Sequence, residues 1–190
     1  MKVKVLLLAI LTMCLGSSIQ AQTTSSGKKI LVVYYSWSEN GITRNVANQI
    51  KLATGADIVE ITPVTPYTTD YKECVAQARK EIEANFKPEI KNNIDNFKSY
   101  DIILVGSPNW CSTIAPPVAT FLSKYDFSGK TILPFITYGG SGLGKSLEDI
   151  KTLSPNATVI SDVLLIKASE INNSAGEIQK WLKNNDIIKK

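Results

Sequence analysis

Residues 139–146 read GGSGLGKS. Gly139, four residues, then Gly144, Lys145 and Ser146 satisfy the P-loop pattern, whose chemistry is to wrap backbone N–H groups around a nucleoside triphosphate. Two other stretches carry reactive or ligand-binding residue types at close spacing. SWSENGITR (36–44) offers the hydroxyls of Ser36, Ser38 and Thr43 around Gly41, and GSPNWCST (106–113) places Trp110 and Cys111 behind Pro108. The chain has no histidine. That excludes Ser-His-Asp and Cys-His catalysis and the common histidine-containing zinc sites. It also removes the usual general acid–base group near neutral pH. If the chain is an enzyme, the hard chemistry belongs to a cofactor.

The elements that must position these stretches follow from the hydrophobic pattern. KKILVVYYS (28–36) is a continuous apolar run between polar residues, the mark of a strand covered on both faces. Ile42, Val46, Ala47, Ile50 and Ala53 recur at helical spacing until Gly55 stops them. DIVEI (57–61), DIILVG (101–106), TILPFITY (131–138) and ATVISDVLLI (157–166) predict four more strands, the last bent at Ser161–Asp162. Between them, Tyr71, Val75, Ala78 and Ile82 form a helical stripe, and Pro116–Pro117 open a helix through Lys124. A further helix is expected over Leu143–Leu153. SAGE (174–177) suggests a capping box for a last helix that turns Ile178, Trp181 and Leu182 inward. Strands alternating with helices predict an α/β fold with a parallel sheet and right-handed crossovers. Ligands on such sheets bind at the carboxyl ends of the strands, beside the switch point of the strand order.

All three stretches follow predicted strands. The first opens a helix, where hydroxyls and free backbone N–H groups make a phosphate site without a cationic side chain; an N-cap and turn is the plainer reading. Trp110 is expected at the tip of a loop stiffened by Pro108, available to stack on a flat ring, or else folded back over the core. The third offers exposed backbone at Gly139, Gly140 and Gly142 and a second flat face at Tyr138. One loop for a phosphate and two for an aromatic plane describe a mononucleotide with a planar ring.

These residues resemble the flavodoxin family, from about Lys28 to the C-terminal helix (domain 28–190). The family's phosphate loop, Ser/Thr-x-Ser/Thr-Gly-x-Thr, is matched by Ser36, Trp37, Ser38, Gly41, Ile42 and Thr43, with Glu39 and Asn40 inserted. SPNW and YGGSGLG are similar to the flavin loops of one bacterial subgroup. The resemblance implies a flavodoxin-like three-layer sandwich, with a five-stranded parallel sheet in the order 2-1-3-4-5, binding FMN. It assigns the phosphate to Ser36–Thr43. The flavin ring falls to Pro108, Asn109, Trp110 and Cys111, with Tyr138, Gly139, Gly140, Ser141 and Gly142. The backbone of Asn109–Trp110 would bond near the redox-active nitrogen. Ile42 stands where asparagine is usual, and Cys111–Ser112 where a second aromatic and a glycine are more common. The function implied is electron transfer. An FMN-dependent NAD(P)H:quinone-type reductase and a non-redox module with a degraded flavin site are the alternatives. The partner is a redox protein or a small-molecule acceptor.

Against a true P-loop, only one strand follows GGSGLGKS, and its acid, Asp162, falls mid-strand rather than at the end where a magnesium-holding aspartate is needed. The first 21 residues, with two lysines, an apolar run and small residues before Ala21, read as a secretory signal peptide. Export to the periplasm is therefore expected, and a membrane attachment only through lipidation at Cys14. Loss of Lys2 and Lys4 would reduce the formal charge from +4 to +2, with no basic tract to engage nucleic acid. Cys74 is expected as a small apolar residue on a helix face.

Overall fold

The structure, a computed structural model, describes residues 27–37 and 40–189. The predicted signal peptide, Cys14 and two of the phosphate-loop residues, Ser38 and Glu39, lie outside the described residues. β1 (Ile30–Tyr34) lies inside the sheet, between the edge strand β2 (Asp57–Glu60) and β3 (Ile102–Trp110), and is parallel to both. Its five residues are all buried, as the uninterrupted apolar run demands. β5 (Thr131–Tyr138) runs parallel to β3 from Ile102↔Thr131 to Pro108↔Thr137.

Alternate side chains feed two cores. Leu31, Val33, Ile103, Val105 and Ile136 pack with Cys74 of α2 (Tyr71–Glu83), Phe121 and Leu122 of α3 (Pro116–Lys124), and Ile150 of α4 (Ser146–Leu153). Ile30, Val32, Leu104 and Phe135 pack with Val46 and Ile50 of α1 (Ile42–Thr54) and with Ile178, Trp181 and Leu182 of α5 (Ala175–Asn184). The result is three layers, with α1 and α5 on one face and α2, α3 and α4 on the other. Gly106 is required in β3, because a Cβ there would fall 2.1 Å from the Phe135 ring.

The sheet follows the expected flavodoxin-like order but has seven strands, not five. The fifth position is broken into β6 (Thr158–Val159) and β7 (Leu164–Lys167), which pair with the lower and upper parts of β5. The break contains the predicted bend. There the Asp162 carbonyl accepts a hydrogen bond from Trp181 Nε1 at 2.8 Å, which holds the strand to α5. The other addition is β4 (Thr113–Ile114), antiparallel to the end of β3.

Three local expectations are corrected. α4 begins at Ser146 rather than Leu143, since residues 142–145 form turns. Ser174 does not cap α5: its hydroxyl donates to the Ile171 carbonyl at 2.7 Å, so no capping box forms. On α2 the buried residues are Cys74 and Ala78, while Tyr71 is 70% exposed.

Candidate functional site

The carboxyl ends of β1, β3 and β5 open into one cavity of about 460 Å³. Its lining includes Ser36, Trp37, Ile42 and Thr43 after β1, Pro108, Asn109, Trp110 and Cys111 at the end of β3, and Tyr138, Gly139, Gly140 and Ser141 after β5. Residues about 100 positions apart in sequence therefore meet as the strand pattern predicted. Asn40, Gly41 and Gly142 are not part of the lining. Asn40 is exposed, Gly41 is buried behind it, and the Gly142 carbonyl accepts a hydrogen bond from Asn109 Nδ2 at 2.7 Å.

The entry to α1 is a helix N-terminus with no acid in its first turn. Gly41, the residue before the helix, is left-handed (φ 53°, ψ 47°) and has no side chain with which to cap the first turn. The opening N–H groups of an α-helix have no partner within it, and no acid stands in this first turn to compete for them. Thr43 Oγ1 lies 2.8 Å from Thr137 Oγ1 in a buried hydroxyl pair. If Thr137 donates, Thr43 keeps its own proton for a ligand. The adjacent cation is occupied: Arg44 grips Glu60 through two hydrogen bonds, Nε to Oε2 at 2.9 Å and NH2 to Oε1 at 2.6 Å. Tyr34 donates to the same carboxylate at 2.9 Å. Burial, reinforced by that carboxylate, pushes the Tyr34 phenol up to about 12.

The opposite wall is aromatic. Trp110 is not at a loop tip. It ends β3, with Trp110 opposite Thr113 in the β4 register, and the tip is Cys111–Ser112. Its ring meets Tyr35, Tyr67 and Trp37 edge-on, with centroids 5.5, 5.0 and 6.3 Å away. It thus packs against the core and lines the cavity at once. The Asn109–Trp110 backbone, expected to bond near the redox-active nitrogen, pairs with Thr113–Ile114 of β4. The Asn109 side chain is clamped through Nδ2, leaving its Oδ1 buried without a donor.

GGSGLGKS forms the third wall and not a triphosphate cradle. The Lys145 N–H donates to the Ser112 carbonyl at 2.7 Å, and the Ser146 N–H donates to the Leu143 carbonyl at 3.2 Å. These are N–H groups a P-loop needs free. Glu148 and Asp149 occupy the first turn of α4, the wrong charge beside a phosphate. Asp149 is itself hydrogen-bonded by Thr113 Oγ1.

One wall was missed in the sequence. Tyr71, Cys74, Val75, Ala78 and Arg79 of α2 line the cavity, and so do Thr137 and Ala168. The helical stripe was visible, but periodicity does not distinguish a stripe that packs on a sheet from one that borders a cleft. Burial pushes the Cys74 thiol up to about 11, with Glu81 and then Cys111 adding to the rise, so it is protonated and unreactive at neutral pH. Cys74 and Cys111 are both free, the first buried and the second exposed. No cluster of metal-ligating residues occurs among the described residues.

The flavodoxin family's sequence model matches residues 29–185, nearly the whole described chain. The chain belongs to the flavodoxin family. Among solved structures, a provisionally assigned flavoprotein from Bacteroides eggerthii DSM 20697 is similar at 29% identity and a TM-score of 0.72, over 83% of this chain and 97% of that one. A flavoprotein from Lactobacillus acidophilus NCFM, in complex with FMN, shares 28% identity with a TM-score of 0.63, over 77% and 97% of the two chains. A Fusobacterium nucleatum flavodoxin bound to flavin mononucleotide shares the fold at 12% identity, TM-score 0.51, over 83% and 96%. A search of curated protein sequences returned no match. Within a flavodoxin, the cavity's neutral donors, open α1 terminus and aromatic wall suit a phosphorylated planar cofactor.

Proposed function

We propose that this flavodoxin-family protein binds FMN in the cavity and carries electrons for a separate redox partner. The observation that carries the reading is the convergence of a helix N-terminus with a glycine cap and no acid in its first turn and an aromatic wall on one cavity. FMN, when bound, supplies the one- and two-electron chemistry that a chain without histidine lacks. The residues do the rest. The first N–H groups of α1 and the Thr43 hydroxyl hold the phosphate, Ser36 lies beside them, and Arg44 stays engaged by Glu60. Trp110 and Tyr138 border the ring and exclude water from it. Export to the periplasm is part of the proposal, and the N-terminal 21 residues support it.

The test is reconstitution followed by turnover. Purified protein is expected to become yellow with added FMN and to quench its fluorescence on binding. Trp110→Ala is expected to weaken that binding by about 1–3 kcal/mol, the size of an aromatic stacking contact on a base. With NADH or NADPH and a quinone, a carrier gives negligible turnover unless a separate reductase is added. Sustained turnover by the protein alone would make it a reductase instead.

A further inference from the structure

Among the described residues, Arg79 is the only charged one lining the cavity. Every other described side chain there is an apolar, hydroxyl, amide, thiol or phenol group. Among the described residues the exposed Arg79 side chain makes no ion pair and no hydrogen bond, and the one ion pair found is Arg44–Glu60. A guanidinium is charged at every physiological pH. Facing a cavity walled by Trp37, Tyr71 and Trp110, it is screened less than a cation on open surface.

Its place in the fold says which part of a ligand it meets. α1, which opens at the phosphate end, lies on one face of the sheet, and α2 lies on the other, with the core that Trp110 packs against. Val75, on α2 one turn before Arg79, lines the same cavity as Trp110 and Cys111 of the β3–β4 hairpin. Arg79 thus approaches from the Trp110–Cys111 side, the wall assigned to the ring.

We propose that Arg79 is the counter-charge for the reduced flavin ring, favouring its anionic two-electron form; this rests on the FMN reading above. Oxidised FMN taking two electrons and one proton becomes an anion; taking two electrons and two protons it becomes neutral. A fixed cation at the ring stabilises the first product over the second, opposing the aromatic walls, which disfavour added negative charge. Among the described residues, the other titratable side chains facing the cavity are Tyr71 and Cys74 from α2, Cys111 from the hairpin and Tyr138 from β5, and none of these is an acid.

The experiment compares wild type, Arg79→Gln and Arg79→Lys, reducing the FMN-loaded proteins with dithionite and following midpoint potential against pH, with oxidised FMN and riboflavin affinities measured separately. Arg79→Gln is expected to bind oxidised FMN within about twofold of wild type. It should bind reduced FMN roughly tenfold less tightly, a drop of about 30 mV for a two-electron couple. Its change from two-proton to one-proton uptake should move to higher pH, and Arg79→Lys should restore most of both effects. Equal loss of oxidised and reduced affinity, confined to FMN and absent for riboflavin, would make Arg79 a phosphate ligand and overturn the inference. Unchanged potentials would overturn it too. A wild-type protein that binds no FMN would overturn the flavin reading itself, a separate result.

Discussion

At the scale of single residues, GGSGLGKS shows why a motif is decided by its hydrogen bonds. Gly144 has φ +54°, and a Cβ there would fall 2.2 Å from the Ser112 carbonyl oxygen. That carbonyl is the acceptor for the Lys145 N–H. The glycine therefore serves close backbone approach between two walls, and the lysine side chain is exposed. Lys145→Ala should leave FMN affinity within about twofold, whereas Gly144→Ala should lower stability by about 2 kcal/mol or more in urea unfolding. A large loss of FMN affinity in Lys145→Ala would restore the phosphate role for the octet. Cys74 gives a pH prediction. Its folded pKa is raised above the ordinary thiol value, so the unfolded chain loses its proton first as pH rises. The thiol's contribution to stability is whole below about pH 9 and is lost progressively towards pH 11, by about 2 kcal/mol. Cys74→Ala should flatten that part of the stability profile. An unchanged alkaline slope would show that the tyrosines dominate it.

At the scale of elements, the strands and helices were legible because each had a continuous apolar run or a clear 3.6-residue stripe. The β3–β4 hairpin was not. GSPNWCST reads as a loop with Trp110 at its tip, and nothing in it places a tight turn at Cys111–Ser112, which both adopt positive φ (49° and 69°) without being glycine or asparagine. Positive φ at both central residues is the hairpin geometry that favours Asn-Gly. The strain is tolerated because Ser112 is tied to Lys145 and Asn109 to Gly142. α2 was legible as a helix but not as a cavity wall, because its stripe is short on large apolar residues and borders open space. The substitution Cys111→Asn with Ser112→Gly should raise stability by about 1 kcal/mol, read as a higher urea midpoint at unchanged slope. A fall instead would mean that the side chains at this tip make contacts worth more than the backbone strain.

At the scale of the whole molecule, the site belongs to no single segment. It draws on residues 36–37, 42–43, 71, 74–75, 78–79, 108–111, 137–141 and 168, which only the order of the sheet brings together. Unfolding any layer would scatter them, so the unfolded chain has no comparable site and ligand binding must act on the global equilibrium. For one site and a free ligand at 100 times its Kd, the native state gains about 2.7 kcal/mol. In a chain of this size that is a rise in Tm of about 5–10 °C, growing with the logarithm of FMN concentration. The hydroxyls and N–H groups at α1 separate the phosphate's share from the ring's. Riboflavin keeps the ring and lacks the phosphate, so at equal concentration it should shift Tm less. Thr43→Val removes the hydroxyl but keeps the shape. It should narrow the gap between the two ligands, since it affects only the ligand that carries the anion. Equal shifts for FMN and riboflavin in wild type would place the affinity wholly in the aromatic walls and leave the α1 terminus without a ligand role.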